Sequence, residues 1–236
     1  MICLSKNDVL LFQGDSITHG GRVYSDWDMN HIMGHGYPSI VAGKLALENI
    51  ENAPEIINRG VSGDTVGKLI ARWNEDTLAL KPTVLSLLIG TNDCGEYERT
   101  GVGPTPEIYE KELRFILNYT KEVLPDVKLI IGEPFYFEKP EGFKDAAEFE
   151  KFKIRERNTF ECAKIARKIA EDFGAVFIPY YETLKKYVDS SPKGHIIWDG
   201  VHPTFVGHEI MARLWYETVD KSGILKKQKT PVYENS

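Results

Sequence analysis

Short apolar runs and longer amphipathic segments alternate along the whole chain. The run from Val84 to Ile89 is almost continuously apolar, which is typical of a strand covered on both faces. The segment Thr65–Leu80 repeats its apolar residues mostly at three- and four-residue steps, which predicts a helix that Pro82 ends. By these criteria the chain contains five strands. The predicted strands are Val9–Gln13, Glu55–Asn58, Val84–Ile89, Val127–Ile131 and Ala175–Ile178.

Helices are predicted between and after these strands. They are Tyr37–Asn49, Thr65–Leu80, Glu107–Leu124, Ala146–Phe173, a short helix after the fifth strand, and a last helix from about Thr204 to Asp220. Strands that alternate with helices indicate an α/β fold, with a parallel sheet and helices on both of its faces. Ligands of such sheets bind beyond the carboxyl ends of the strands, so the segments after the strands are where we expect function.

Four polar, glycine-containing segments occupy such positions. They are Gly14-Asp15-Ser16, Asn58 to Gly63, Gly90-Thr91-Asn92-Asp93, and, beyond the last strand, Asp199-Gly200-Val201-His202-Pro203. Each segment alone is weak evidence, because Gly, Asp, Asn and Ser are also common in turns. Together they fall in an order that lets one rim of the sheet collect them.

These segments contain the parts that acyl transfer needs: a nucleophile, a base, a group that orients the base, and donors for the oxyanion. Ser16 lies where a strand meets a turn, so its hydroxyl can project from the sheet edge. His202 is the candidate base. Asp199 lies three residues upstream and can reach the imidazole on a tight turn, fixing its tautomer and stabilising the imidazolium.

Three hydrogen-bond donors are candidates for an oxyanion hole. Gly63 has no side chain, so its N–H can approach a substrate oxygen closely. The side-chain amide of Asn92 is a second donor, and the N–H of Ser16 is a third. Donors aimed at one developing charge are usually the largest single contribution to this kind of catalysis.

With these residues in place, the chain resembles the SGNH hydrolases, also called GDSL esterases/lipases, from residue 9 to about residue 220. The four matching blocks are Gly14-Asp15-Ser16-Ile17-Thr18, Asn58-Arg59-Gly60-Val61-Ser62-Gly63-Asp64-Thr65, Gly90-Thr91-Asn92-Asp93 and Asp199-Gly200-Val201-His202-Pro203. The resemblance implies a three-layer α/β/α sandwich, flavodoxin-like in broad order. It also implies ester hydrolysis through an acyl-serine intermediate, with Gly63 and Asn92 in the oxyanion positions and with no metal or cofactor. His19 departs from the usual nucleophile block, where an Asp is common.

Within this family, further stretches look most similar to intracellular acetylxylan esterases. They are Ala71-Arg72-Trp73-Asn74-Glu75-Asp76, Pro134-Phe135-Tyr136 and Trp198-Asp199-Gly200-Val201-His202-Pro203. This similarity implies a small carbohydrate ester as substrate. Aromatic residues near the rim are the candidate substrate contacts: Tyr24, Trp27, Tyr136 and Trp198. The alternatives are core packing for Trp198 and a solvent-facing or subunit-facing loop for Tyr24 and Trp27. Trp73 is expected in the core, and His195 and His208 are expected to be structural.

Composition and charge limit the other interpretations. The 236 residues are 42% hydrophobic and 27% charged, which is typical of a single globular domain over 1–236. The net charge of −6 argues against nucleic-acid binding. Three scattered cysteines, no apolar run long enough for a membrane span and no signal-peptide pattern predict a cytoplasmic protein with reduced thiols. From about residue 224 we expect a C-terminal arm that could pack on a neighbouring subunit of a homo-oligomer.

Other functions stay open at this point. The same mechanism fits a short-chain carboxylesterase, a lysophospholipase or a thioesterase. A metal-dependent phosphoesterase could use Asp15, Asn92, Asp93 and His202, but the chain lacks further ligand motifs. The His208-Glu209 pair does not begin an H-E-x-x-H helix, because Ala212 occupies the position of the second histidine. The remaining class is a binding module that has lost catalysis, although all five catalytic positions are filled.

Overall fold

A parallel sheet of five strands forms the centre of the molecule in its computed structural model, which describes residues 2–25, 27–100 and 103–226, without the side chains of 96–100. The strands are β1 (Val9–Gly14), β2 (Glu55–Asn58), β3 (Val84–Leu88), β4 (Lys128–Gly132) and β5 (Val176–Ile178). Their order across the sheet is β2-β1-β3-β4-β5, and every neighbouring pair is parallel. Leu10 pairs with Ile56 on one side and with Val84 on the other.

Helices cover both faces of this sheet. They are α1 (Ser16–His19), α2 (Tyr37–Glu48), α3 (Val66–Asp76), α4 (Thr91–Thr100), α5 (Pro106–Val123), α6 (Ala146–Asp172), α7 (Tyr180–Ser190) and α8 (Phe205–Ser222). Short 3₁₀ turns follow α2 and α3. The predicted α/β/α sandwich with a five-stranded parallel sheet is therefore confirmed.

Alternate residues of the strands enter two separate cores. Leu10 and Phe12 point toward α2, α7 and α8, where Trp215 is fully buried and donates its indole N–H to Ser86 Oγ (3.0 Å). Leu11 and Leu85 point toward α3, α5 and α6. Because both faces of each strand are covered, the strands carry nearly continuous apolar runs, which is why they were visible in the sequence.

The predicted helix Thr65–Leu80 ends earlier than its apolar pattern suggests. The α-helix stops at Asp76, and Leu78–Leu80 forms a 3₁₀ turn. The buried amide of Gln13 donates to the Asp76 carbonyl (2.8 Å) and to Thr77 Oγ1 (2.9 Å), so a side chain from β1 satisfies the end of the helix. Trp73 lies in the core as predicted and donates its indole N–H to Thr120 Oγ1 (2.9 Å).

Helix α4 is the longest element that the sequence did not predict. Its residues were assigned to a polar rim and a loop, because Asn92, Asp93 and Gly95 favour turns and no apolar period runs through them. The helix begins directly after β3, at Thr91, whose hydroxyl donates to the Phe135 carbonyl (3.1 Å). This hydrogen bond to the segment after β4 offsets the weak helix propensity of the residues in α4.

At the carboxyl end of the chain, Leu225 is buried and its carbonyl accepts a hydrogen bond from the N–H of Cys3 (2.8 Å). Most of the predicted arm, 227–236, lies outside the described residues. None of the helices in the described ranges is both long and apolar enough to cross a membrane.

Candidate active site

The turn after β1 fixes the position of Ser16. Gly14 has φ +155°, and a Cβ there would lie 2.2 Å from the Leu88 carbonyl oxygen, so only glycine fits. Asp15 follows as the N-cap of α1, with its Oδ1 accepting a hydrogen bond from the N–H of Ile17 (3.0 Å). Ser16 is therefore the first residue of a helical turn whose start is held by a glycine and a cap.

Ser16, His202 and Asp199 form a continuous chain of hydrogen bonds. The Ser16 hydroxyl lies 2.8 Å from His202 Nε2, and His202 Nδ1 lies 2.6 Å from Asp199 Oδ2. The other carboxylate oxygen of Asp199 accepts the backbone N–H groups of Val201 (3.0 Å) and His202 (2.7 Å). Ser16 lies 186 positions before His202 in the sequence, yet the three residues have the geometry of a nucleophile, a base and an orienting acid.

We call residues 198–203 the histidine loop. An isolated antiparallel bridge between Ile197 and Pro203 closes it, and the Trp198 N–H donates to the His202 carbonyl (3.1 Å). The hydrogen bond that His202 donates to Asp199 raises the pKa of His202 against the opposing effect of partial burial. Partial burial of Asp199 favours its neutral form, but the hydrogen bonds from His202 and Val201 outweigh burial and lower the pKa of Asp199.

Gly63 lies in a turn that is tied to the nucleophile. The Val61 N–H donates to the Gly14 carbonyl (3.0 Å), which brings the segment from 61 to 65 beside the Ser16 turn. Gly63 has φ +82°, and a Cβ built there meets no atom within 4 Å. The left-handed backbone conformation is therefore a reason for glycine within the chain itself, and the close approach of its N–H to a substrate oxygen stays a prediction. In the described ranges, neither the Ser16 nor the Gly63 N–H donates a hydrogen bond.

Asn92 joins the same site from α4. Its side-chain amide donates one hydrogen bond to the Asp64 carbonyl (3.0 Å), next to Gly63, which leaves the second amide hydrogen as a donor. The neighbouring Asp93 accepts the Val66 N–H (3.0 Å) through Oδ1. Two successive residues of α4 thus hold the turn that carries Gly63. The three predicted oxyanion donors lie on segments that are bonded to one another.

Two buried carboxyl groups lie beneath this site. Burial raises the pKa of Asp15 to about 6, against the hydrogen bond from Ile17 and the nearby His202. Burial also raises the pKa of Asp93 to about 7, against the hydrogen bond from Val66. Both residues accept a backbone N–H, so they serve as helix-start caps as well as local charges.

The metal-site alternative gains no support from these contacts. Among the described residues, no group of three His, Cys, Asp or Glu side chains is placed to hold a metal ion. His208 is buried, accepts the Tyr37 N–H (3.2 Å), and has a pKa lowered to about 4 by burial. That environment suits the structural role predicted for it.

The four aromatic residues predicted to contact substrate differ in their surroundings. Trp198 is 59% exposed and stacks on the His202 ring, with centroids 6.1 Å apart. Tyr24 is exposed and packs against His19 and under the Arg22 guanidinium. Trp27 is 83% exposed.

Tyr136 is buried rather than displayed at the rim. Arg155 lies over its ring at 4.3 Å, and Phe152 packs beside it at 5.4 Å. Trp198, by contrast, is in direct contact with the ring of His202.

The sequence analysis did not single out Arg155. Besides covering Tyr136, its guanidinium donates to the Thr91 carbonyl (3.3 Å) at the start of α4, and its positive charge opposes protonation of His202. In the sequence it is one charge among many on a long amphipathic helix. No local pattern distinguishes it, because its role depends on where α6 crosses the sheet edge.

Comparison with known proteins places this geometry in a family. The family model described as "GDSL-like Lipase/Acylhydrolase family" matches residues 12–210. An acetylxylan esterase of Geobacillus stearothermophilus is 29% identical over 221 residues, which are 92% of this chain and 95% of that protein.

Solved structures give the same result. A putative GDSL-like lipase from Parabacteroides merdae superposes with a TM-score of 0.80 at 37% identity, covering 94% of this chain and 99% of the other. A mutant of an acetyl-xylooligosaccharide esterase from Geobacillus superposes with a TM-score of 0.77 at 29% identity, covering 91% and 95%.

Proposed function

Because the chain belongs to the GDSL-like lipase/acylhydrolase family and is a carboxylic ester hydrolase, we propose that it removes acetyl groups from carbohydrates through an acyl-serine intermediate. The observation that carries this proposal is the hydrogen-bonded chain from Ser16 through His202 to Asp199, with links of 2.8 and 2.6 Å. Its substrate class is supported by the similarity of the chain to acetylxylan and acetyl-xylooligosaccharide esterase from Geobacillus.

In the proposed reaction, His202 Nε2 takes the hydroxyl proton of Ser16 while Oγ attacks the acetyl carbonyl carbon. The negative charge on the carbonyl oxygen is stabilised by the N–H groups of Ser16 and Gly63 and by the amide of Asn92. The C–O bond to the sugar then breaks, and His202 gives its proton to the departing sugar oxygen. A water molecule, deprotonated by the same histidine, attacks the acetyl-serine and releases acetate.

The surroundings of the site favour a sugar over a long acyl chain. A lipid tail needs a continuous apolar groove, because each buried CH₂ contributes only about 0.8 kcal/mol. The exposed face of Trp198 beside the base offers instead a flat apolar surface with polar groups around it, which suits a pyranose ring.

Two substrate series test this proposal. The first measures kcat/KM on acetyl, butyryl and octanoyl p-nitrophenyl esters, and we expect the acetyl ester to be cleaved much faster than the octanoyl ester. The second compares p-nitrophenyl acetate with acetylated xylose and acetylated xylo-oligosaccharides, and we expect the sugars to be better because remote contacts add binding energy. A maximum at octanoyl would indicate a lipase or thioesterase. Failure on every acetylated sugar would leave a short-chain esterase.

A further inference from the structure

A cavity of about 520 Å³ opens beside the histidine loop, and none of the residues assigned above to catalysis lines it. Its walls are the first half of α6, the second half of α7 with the loop 191–194, and the segment 136–140 after β4. Ile196 and Ile197 close its base. We call this cavity the α6–α7 cleft. Its volume lies within the range of small-molecule sites, about 300–1,000 Å³.

Two walls of the cleft are continuous with the histidine loop. Ile197 directly precedes Trp198, whose ring stacks on the base His202. On the other wall, the Phe137 N–H donates to the Gly200 carbonyl (2.9 Å). The cleft thus borders the histidine loop at two points, Ile197 and Phe137, which places it next to the segment that carries His202.

The cleft offers aromatic surface to a ligand. The Phe149 side chain is 41% exposed at the rim of the cleft. Its ring makes an edge contact with the Phe143 ring, with centroids 5.1 Å apart. Phe137 and Tyr181 stack on each other further in, at 5.1 Å. Such surfaces pack well against the apolar face of a sugar ring.

Most of the charged groups that line the cleft take part in ion pairs. Three of its four lysines are paired with carboxylates: Lys139–Glu148 (3.3 Å), Lys153–Glu156 (3.0 Å) and Lys185–Asp189 (2.7 Å). Paired charges present donors and acceptors side by side with little net charge. A sugar hydroxyl both donates and accepts, so a neutral polyol suits this lining better than a phosphate or another anion.

We propose that the α6–α7 cleft binds the unmodified units of a neutral xylo-oligosaccharide while its acetylated unit is held at Ser16. This inference rests on the proposed function and extends it from a deacetylase of sugars to one that selects chains over single sugars. The contacts in the cleft are remote from the ester, so they act through binding energy rather than chemistry.

The test compares chain-length selectivity in three proteins. For each, kcat/KM is measured on acetylated xylose and on acetylated xylotetraose, and binding of unacetylated xylotetraose is measured by calorimetry. The variants are Phe149→Ala, which removes the exposed ring of the cleft, and Phe115→Ala, which removes an exposed ring on α5 outside it. We expect Phe149→Ala to lower the ratio of kcat/KM on acetylated xylotetraose to kcat/KM on acetylated xylose by about three- to tenfold. The kcat/KM on acetylated xylose itself should stay unchanged, and binding of unacetylated xylotetraose should weaken. Phe115→Ala should match the parent protein.

A ratio that stays the same in Phe149→Ala, or that falls equally in Phe115→Ala, overturns the inference. If Phe149→Ala does not fold, Ser191→Trp, which fills the cleft from the loop after α7, must produce the same loss of selectivity. If no acetylated sugar is hydrolysed, the proposed function fails, and calorimetry decides on the cleft. Tetraose binding that weakens in Phe149→Ala then supports the cleft, and absence of tetraose binding to the parent protein overturns it.

Discussion

In the proposed mechanism, His202 must be neutral to accept the serine proton, so its pKa is expected to set the lower pH limit of activity. Asp199 raises that pKa above the ordinary value of 6.5. As pH falls through the raised pKa, the imidazole becomes charged and cannot act as a base, so kcat/KM must fall. We therefore expect kcat/KM to rise with pH and then level off, with the midpoint of the rise above pH 6.5.

Asp199→Asn checks the origin of this pH dependence. It removes the charge that raises the pKa of His202 and favours the wrong tautomer, so the midpoint should shift down and the plateau should drop by roughly 10⁴-fold. Circular dichroism must show an intact fold. A parent profile that is flat from about pH 5 to 9 would contradict the role of His202 as the base.

Asn92 is expected to act on the transition state. Its free amide hydrogen binds a charge that exists only after attack, so Asn92→Ala should lower kcat by about 10²–10³-fold and leave KM nearly unchanged. Asn118→Ala, on the exposed face of α5, is a control that should change neither constant. If KM rises at constant kcat in Asn92→Ala, the amide binds the substrate in its ground state instead.

Single residues were the part of the site most accessible from the sequence. Ser16, Gly63, Asn92, Asp199 and His202 were all named from residue type and spacing. What spacing cannot give is burial. Tyr136 was expected as a rim contact, but its ring is buried beneath Arg155 and beside Phe152 of α6, where it still borders the α6–α7 cleft.

At the scale of elements, the turn that carries Gly63 can be tested by its backbone. Gly63→Ala forces φ +82° on a residue with a Cβ, which should cost about 1–2 kcal/mol of unfolding free energy and redirect the N–H. Gly174→Ala is a matched control, because it has φ +62° and equally open space, but follows α6 away from the site.

Both glycine variants should lose similar stability in urea denaturation, while only Gly63→Ala should lose kcat. Equal loss of kcat in the two would mean that the Gly63 N–H has no special role. This comparison separates the strain of the backbone from the function of the donor.

Elements with strong periodicity were predicted within a few residues, and α4 was missed. Its polar sequence lacks the apolar period that would indicate a helix, although this helix positions Asn92 and Asp93. The early end of α3 was missed for a related reason, since a side chain from β1 determines it. Local sequence patterns reveal elements that bury an apolar face. They miss elements whose bounds are set by hydrogen bonds to residues far away in the sequence.

For the whole molecule, the strand order β2-β1-β3-β4-β5 explains why residues from distant segments meet. The first three segments follow the adjacent strands β2, β1 and β3, so parallel pairing alone brings Gly63, Ser16 and Asn92 to one edge. The histidine loop reaches that edge over β4, through the Phe137–Gly200 bond. The positions of Arg155 and of the α6–α7 cleft depend on how α6 and α7 cross the sheet. The periodicity of apolar residues does not specify these crossings.

The proposed reaction requires Ser16 to carry the acetyl group during turnover. The most direct measurement is acetate release from an acetylated xylo-oligosaccharide by the parent protein and by Ser16→Ala, with mass spectrometry of the quenched parent to locate the acetyl group. Ser222→Ala, at the far end of α8, is the control. We predict an acetylated Ser16 peptide in the parent and a kcat at least about 10³-fold lower in folded Ser16→Ala. Near-normal turnover by Ser16→Ala would contradict the account.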